Sequence, residues 1–292
     1  MAYTLILNSL NVAGSTNTQF KYSFLGGNFV AKDMEMCVSQ ITMPYSFFNV
    51  STYYNNQSFS LTFPVGSTTY SLPITLPAGF YTVSDINSYI QNQCIANGLY
   101  LINASGQYVY FFTMATNITY YTTQTLYFPV PTTSTYAGLG YTRPSTGQWS
   151  ASGTGLPTVV NQVPQLVLPT TGGINAIIGY VAGTFPTSST SSTNVSVLGT
   201  VTPIGSTVNS IVARVSFLRN AVSVPSDILD NWNINTTFGS NITYVPSFEK
   251  WITITDGTYS NFILQLVDQN LNTIYANDPN VAISLLIRNK PK

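Results

Sequence analysis

One stretch of this chain reads as a helix while the segments around it read as short strands, and that contrast limits the fold more than any other feature. Residues 76–99 (LPAGFYTVSDINSYIQNQCIANGL) hold the helical signal. Pro77 and Gly79 end a strand, residues 80–83 re-extend, and Ser84 is the expected N-cap, with Asp85 at the positive end of the helix dipole. Ile86, Tyr89, Ile90 and Cys94 recur at steps of three and four, so a single apolar stripe must lie against another element. Asn97 and Gly98 tolerate positive φ and close the helix. In a strand-rich chain the partner is a sheet, and Ile86, Ile90 and Cys94 are the residues expected to face it.

Alternation with period two marks the strands. Phe59, Leu61 and Phe63 point one way and Ser58, Ser60 and Thr62 the other, and a second strand returns over 68–72 after Pro64 and Gly66. Residues 99–102 and 108–112 flank Asn103 to Gly106 as another hairpin. Residues 251–255 and 259–267 are joined across Asp256 and Gly257, the strongest short hairpin signal in the chain. Val281, Ile283, Leu285 and Ile287 form a last strand after Asp278 and Pro279. Short strands at this spacing with one packed helix predict an all-β fold, a β-sandwich or jelly roll. Residues 113–203 differ: Thr, Ser, Gly, Tyr and Pro dominate, as in FPTSSTSSTNVS over 185–196, and apolar runs such as 165–168 and 174–181 are brief. This segment is expected to be an exposed, β-rich polar insertion in the sandwich domain, the jelly roll if the fold is one, made of 1–112 and 204–292.

The surface implied by the composition is abnormal for a free monomer. Of 292 residues 44% are hydrophobic, enough to bury about three quarters of the unfolded surface, yet only 6% are charged, against about 25% in an ordinary domain. Net charge is zero, so little keeps copies apart, and the chain suits a homo-oligomeric subunit covered by its neighbours. A secreted polar β-protein is the other class with such a surface. Charges are scattered, with none between Arg143 and Arg214, so no specific nucleic-acid binding is expected. Arg288, Lys290 and Lys292 read as a solvated basic tail.

The parts for catalysis are missing. There is no histidine, and Cys37 and Cys94, the only cysteines, read as buried thiols rather than a disulfide. Zinc sites and Ser-His or Cys-His nucleophiles therefore lack their components, and no catalytic, metal or cofactor site is expected. Two close carboxylate pairs have structural readings: Asp33 and Glu35 flank the start of a strand, and Asp227 and Asp230, beside Pro225 and Ser226, start a helical turn. The 20 Tyr and 3 Trp could stack on sugars, but aromatics at alternating positions more often build core or subunit interface. Asn-x-Ser/Thr triplets at Asn49, Asn56, Asn103, Asn117, Asn194, Asn235 and Asn241 are no more than an Asn-, Ser- and Thr-rich chain produces by chance. The N-terminus lacks the charge and length of a secretory signal, and no apolar run approaches the ~20 residues of a membrane span, so the chain is expected to be intracellular when made.

Three segments carry a family resemblance: YSFLGG from Tyr22, EMCVSQITMPYSFFNV from Glu35 and LPAGFYTVSDINSYI from Leu76. Together with NDPNVAI from Asn277, running into Leu286, Ile287 and Arg288, they make the first 112 and last 45 residues resemble the minor capsid and penton proteins of large nucleocytoplasmic-type double-stranded DNA viruses and their virophages. The resemblance implies a jelly roll without catalytic residues, placed in the capsid shell of the virion and assembled in the infected host cell. It implies a homo-pentamer at the icosahedral vertices in contact with the major capsid protein, or an internal minor capsid protein beneath and between the major capsomers. A viral surface adhesive or glycan-binding protein is the further alternative. For the penton, the 113–203 insertion is expected to face outward, and the tails and the 84–96 helix to contact the shell.

Overall fold

The computed structural model describes residues 2–291 and resolves two compact units, Met1–Phe48 with Thr207–Lys292, and Asn49–Ser206. The first unit is built on eight strand positions, all paired antiparallel. In chain order they are Ala2–Leu7, Gln19–Ser23, Met34–Pro44, Ser210–Val215, Ile228–Asn233, a broken strand of Asn241–Tyr244 and Ile252–Ile254, then Asn261–Asp268 and Ala282–Asn289. The first pairs with the last, the second with the seventh, the third with the sixth and the fourth with the fifth. This nested pattern is that of one long antiparallel ribbon rolled upon itself, a jelly roll. Cross-pairing of Ala282–Asn289 with Met34–Pro44, and of Asn261–Asp268 with Ser210–Val215, joins the ribbon into two sheets.

Alternation decides which faces meet. Ile283, Leu285 and Ile287 are buried with Leu5 and Leu7 in one sheet, and Phe20, Ile211, Ala213, Phe262 and Leu264 in the other. Trp232 and Tyr244, one from each sheet, stack with ring centroids 5.0 Å apart and planes within 10°. The final strand expected from Val281 to Ile287 is thus found, between Ala2–Leu7 and Met34–Pro44 in its sheet. The hairpin expected across Asp256 and Gly257 is not. Ile252–Ile254 pairs with Met34–Pro44 in one sheet, and Asn261–Asp268 runs in the other. Asp256 there caps the backbone N–H of Asp33 (3.0 Å), and Gly257–Tyr259 pairs with Phe29–Ala31, so the turn chemistry serves a crossing between sheets. The expected helical turn at Asp227 and Asp230 is also absent: Asp230 lies within Ile228–Asn233.

The second unit leaves the jelly roll after its third strand and returns before its fourth. The expected division at 112/113 and 203/204 differs from this, because residues 49–112 share a core with 113–206. One sheet runs Gly183–Phe185, Gln165–Leu168, Ser58–Val65, Thr68–Thr75, and the other Val195–Leu198, Thr122–Tyr127, Phe112–Asn117. The predicted hairpin of Ser58–Val65 with Thr68–Thr75 forms with Gly66 at φ +53°, although Pro64 lies inside the strand rather than at its end. The second predicted hairpin forms between Leu101–Ile102 and Tyr108–Val109.

The helix spans Val83–Ala96, and Ile86, Ile90 and Cys94 are its buried residues, packed in the cluster that contains Phe112, Met114 and Leu166. Its N-cap is Thr82 rather than Ser84. Thr82 Oγ1 accepts from Asp85 N, and the Asp85 carboxylate accepts from Thr82 N at 2.8 Å, a reciprocal capping box that a Ser84 start would forfeit. Residues 113–203 are not an exposed excursion. They supply Tyr127, Trp149, Leu166, Ile178 and Tyr180 to the core, because their few large side chains are spaced to point inward from short strands and turns.

Candidate assembly surface

The two units differ in charge. Between residues 49 and 206 the only ionised side chains are Asp85 and Arg143, and both are turned to internal use. Asp85 closes the capping box. The Arg143 Nε donates to Trp149 O at 2.6 Å and its Nη2 to Ser150 O, which fixes the loop that seats Trp149. All other ionised groups belong to the jelly-roll unit, where several pair. Arg214 makes a fork on Asp227 (3.1 and 2.9 Å), Lys250 binds the buried Asp230 at 2.6 Å, and Arg288 binds Glu35 at 2.6 Å.

Each carboxylate singled out in the sequence therefore has a structural task. Asp33 stands at φ +50° in the turn before Met34–Pro44, and Glu35 holds Arg288, whose guanidinium lies 3.7 Å from the centre of the Trp251 ring. Asp227 and Asp230 sit on separate ion pairs, Asp230 also accepting from Tyr244 Oη at 2.7 Å. The hydrogen bond from Lys250 to Asp230 raises the Lys250 pKa, and burial, followed by the bond to Asp230, raises that of Tyr244. Arg288 is thus part of a sheet surface rather than a free tail, Lys290 N donates to Asp33 O, and Lys292 lies outside the described residues. Cys37 and Cys94 are buried free thiols, pushed by desolvation up to about 11 and about 12. Among the described residues no helix is long and apolar enough to cross a membrane.

The inserted unit meets solvent mostly with uncharged groups, several of them large and apolar. Its most exposed feature is the hairpin tip between Phe112–Asn117 and Thr122–Tyr127, where Ile118, Tyr120 and Tyr121 are 86%, 68% and 74% exposed. Beside it lies a groove of about 400 Å³ walled by Phe80, Tyr81, Val83, Ile118, Tyr121 and Pro203. A second apolar hollow is edged by Pro129, Pro131, Leu139 and Val160. Sequence reading missed the tip, although a signal was there: NITYYT puts three large apolar side chains where a turn ordinarily takes Gly, Asn or Asp.

No protein-family model matches the chain, and no curated protein matches its sequence. Among solved structures it is similar to the mavirus penton protein, with a TM-score of 0.40 and 8% identity over 99% of each chain. It is also similar to a chain of the Sputnik virophage particle, with a TM-score of 0.34 and 12% identity over 99% of this chain and 98% of that one. At these scores and identities no residue correspondence carries over, so the functional reading rests on this chain's own surface and core.

Proposed function

We propose that this chain is a non-enzymatic structural subunit of an icosahedral capsid, and within it the penton, forming homo-pentamers at the vertices of a large DNA virus or virophage. The observation that carries the reading is the pairing of a jelly roll with an inserted unit of 158 residues that holds only two ionised side chains, Asp85 and Arg143. A free protein gains solubility from surface charge, whereas a shell subunit gains contact area from its absence. The resemblance of the first 112 and last 45 residues to viral minor capsid and penton proteins points the same way. Carboxylates are committed to ion pairs and caps, which suits a scaffold rather than a pair of convergent acids. The partners are further copies of the chain, the major capsid protein and other minor capsid proteins, and the location is the virion.

The 84–96 helix and residues 113–203 share one core, which supports reading the whole unit Asn49–Ser206, rather than 113–203 alone, as the outward element. Imaging of intact particles at a resolution that traces the chain tests this. Five copies per vertex support the penton, while copies along facet edges beneath the capsomers replace it with the internal minor capsid role.

A further inference from the structure

We propose that the hairpin tip at 118–121 and the groove beside it form the contact by which the inserted units of neighbouring copies of this chain meet, an inference that deepens the capsid reading and rests on it. The tip is built at a cost. The pair Asn117 and Thr122 closes a four-residue loop in which Tyr121 N donates to Ile118 O and Tyr120 N to Asn117 Oδ1, both at 3.3 Å. The loop forces Tyr121 to φ +48°, a left-handed position that Gly or Asn fills with less strain. The sequence nonetheless sets an aromatic ring there, and the ring is three-quarters exposed beside Ile118 and Tyr120. Strain retained to hold an apolar group in water marks a group that is covered in the working state.

The groove indicates what covers it. Phe80, Tyr81, Val83, Ile177 and Pro203 line it, and Ile118 and Tyr121 of the tip line it too. Among the described residues no ionised side chain lines it, and Asp85, two positions after Val83, has its carboxylate bonded to Thr82 N and Oγ1 at 2.8 and 2.6 Å. A partner that brought charges onto this surface would bury them unpaired, since nothing here can answer them. The partner face must be as free of charge as the groove, and the inserted unit of a second copy is such a face. Tip and groove are complementary in kind, a projecting aromatic and aliphatic knob beside an apolar hollow, so each copy can offer one to its neighbour.

The test is sedimentation of the full chain, comparing wild type with Ile118→Asp and Tyr121→Gly. Wild type is expected to self-associate, with a dissociation constant that changes little between about 0.05 and 0.5 M salt because no ion pair is involved. Both variants should raise that constant about tenfold or more, as truncation of an interface anchor does. Tyr121→Gly also relieves the strained φ, so its melting temperature should equal or exceed that of wild type, which separates lost contact from lost fold. Wild type that stays monomeric to about 100 µM, or variants that associate as wild type does, overturn the proposal. In intact particles, five copies per vertex with their tips apart would overturn this inference alone, whereas absence of the chain from the particle would overturn the capsid reading beneath it.

Discussion

Gly98 and Gly147 show how much of the inserted unit hangs on single residues. Gly98 ends the helix at φ +62°, and Gly147, at φ +93°, lies against it so closely that a Cβ on either would overlap the other's backbone. The approach lets Asn97 O accept from Gln148 N at 2.8 Å and Gly98 O from Trp149 N at 3.0 Å, which delivers the Trp149 ring to the core, where its Nε1 donates to Pro64 O at 3.0 Å. Gly98→Ala adds both the left-handed strain and the overlap with Thr146 and Gly147, and is expected to destabilise by about 2–4 kcal/mol, read from denaturant midpoints. A loss below about 0.5 kcal/mol would mean that the two backbones are not in contact. The thiols make a second residue-scale prediction. Both have folded pKa values above the ordinary thiol value of 9.0, so their contribution to stability is complete below pH 9 and is lost as pH rises from there through about 11 and 12. Replacing both with Ala should therefore flatten the alkaline side of the stability curve above pH 9, with no change in its slope between pH 6 and 8.

At the scale of elements, the helix was legible to its buried face because three-and-four spacing depends on neighbours in sequence alone. Ile90→Asp, which sets an unpaired carboxylate at a site 1% exposed, should cost several kcal/mol and lower the melting temperature sharply, about 3 kcal/mol or more. An unchanged melting temperature would count against the packed face. The cap lies two residues before the expected Ser84 because Ser84 and Thr82 are equally good hydroxyls in sequence, and only the reciprocal bond to Asp85 separates them. Thr82→Ala should remove about 1 kcal/mol. Strand pairing is legible where two neighbouring segments pair, as in 58–75 and 101–109, and illegible where the partner lies far along the chain, although alternation alone marks 281–287 as a strand. Asp256 and Gly257 look like a hairpin turn, yet the nested jelly-roll pairing sends Ile252–Ile254 to residues 35 and 36, more than two hundred positions away. The unit boundary was hidden for the same reason. Burial of Trp149 and Tyr180 comes from contacts across the insertion, whereas local composition there reads as polar and solvated.

For the whole molecule, the question is whether the insertion and the jelly roll depend on each other. The neck of the inserted unit is drawn together by Asn49, a buried side chain whose amide donates to Tyr81 O at 2.8 Å and Gly205 O at 2.9 Å while its oxygen accepts from Tyr81 N at 2.8 Å. Phe48 and Thr207 are bonded to the two sides of that neck, so the ends left by removing 49–206 lie within reach of a linker of about four residues at ~3.3–3.6 Å each. Every strand that pairs with the eight positions of the jelly roll, Leu218–Arg219 included, lies outside 49–206. A chain with 49–206 replaced by a Gly-Ser linker is therefore expected to fold cooperatively into the same two sheets, seen as a single unfolding transition and a β-type circular dichroism spectrum. That core keeps all but two of the molecule's ionised side chains and loses its charge-free surface, so its residual self-association should depend on salt where that of the intact chain does not. A linked core that fails to unfold cooperatively would show instead that the jelly roll takes its stability from the insertion. The protein would then be one folding unit in which the charge-free surface is part of the scaffold, and not an addition to it.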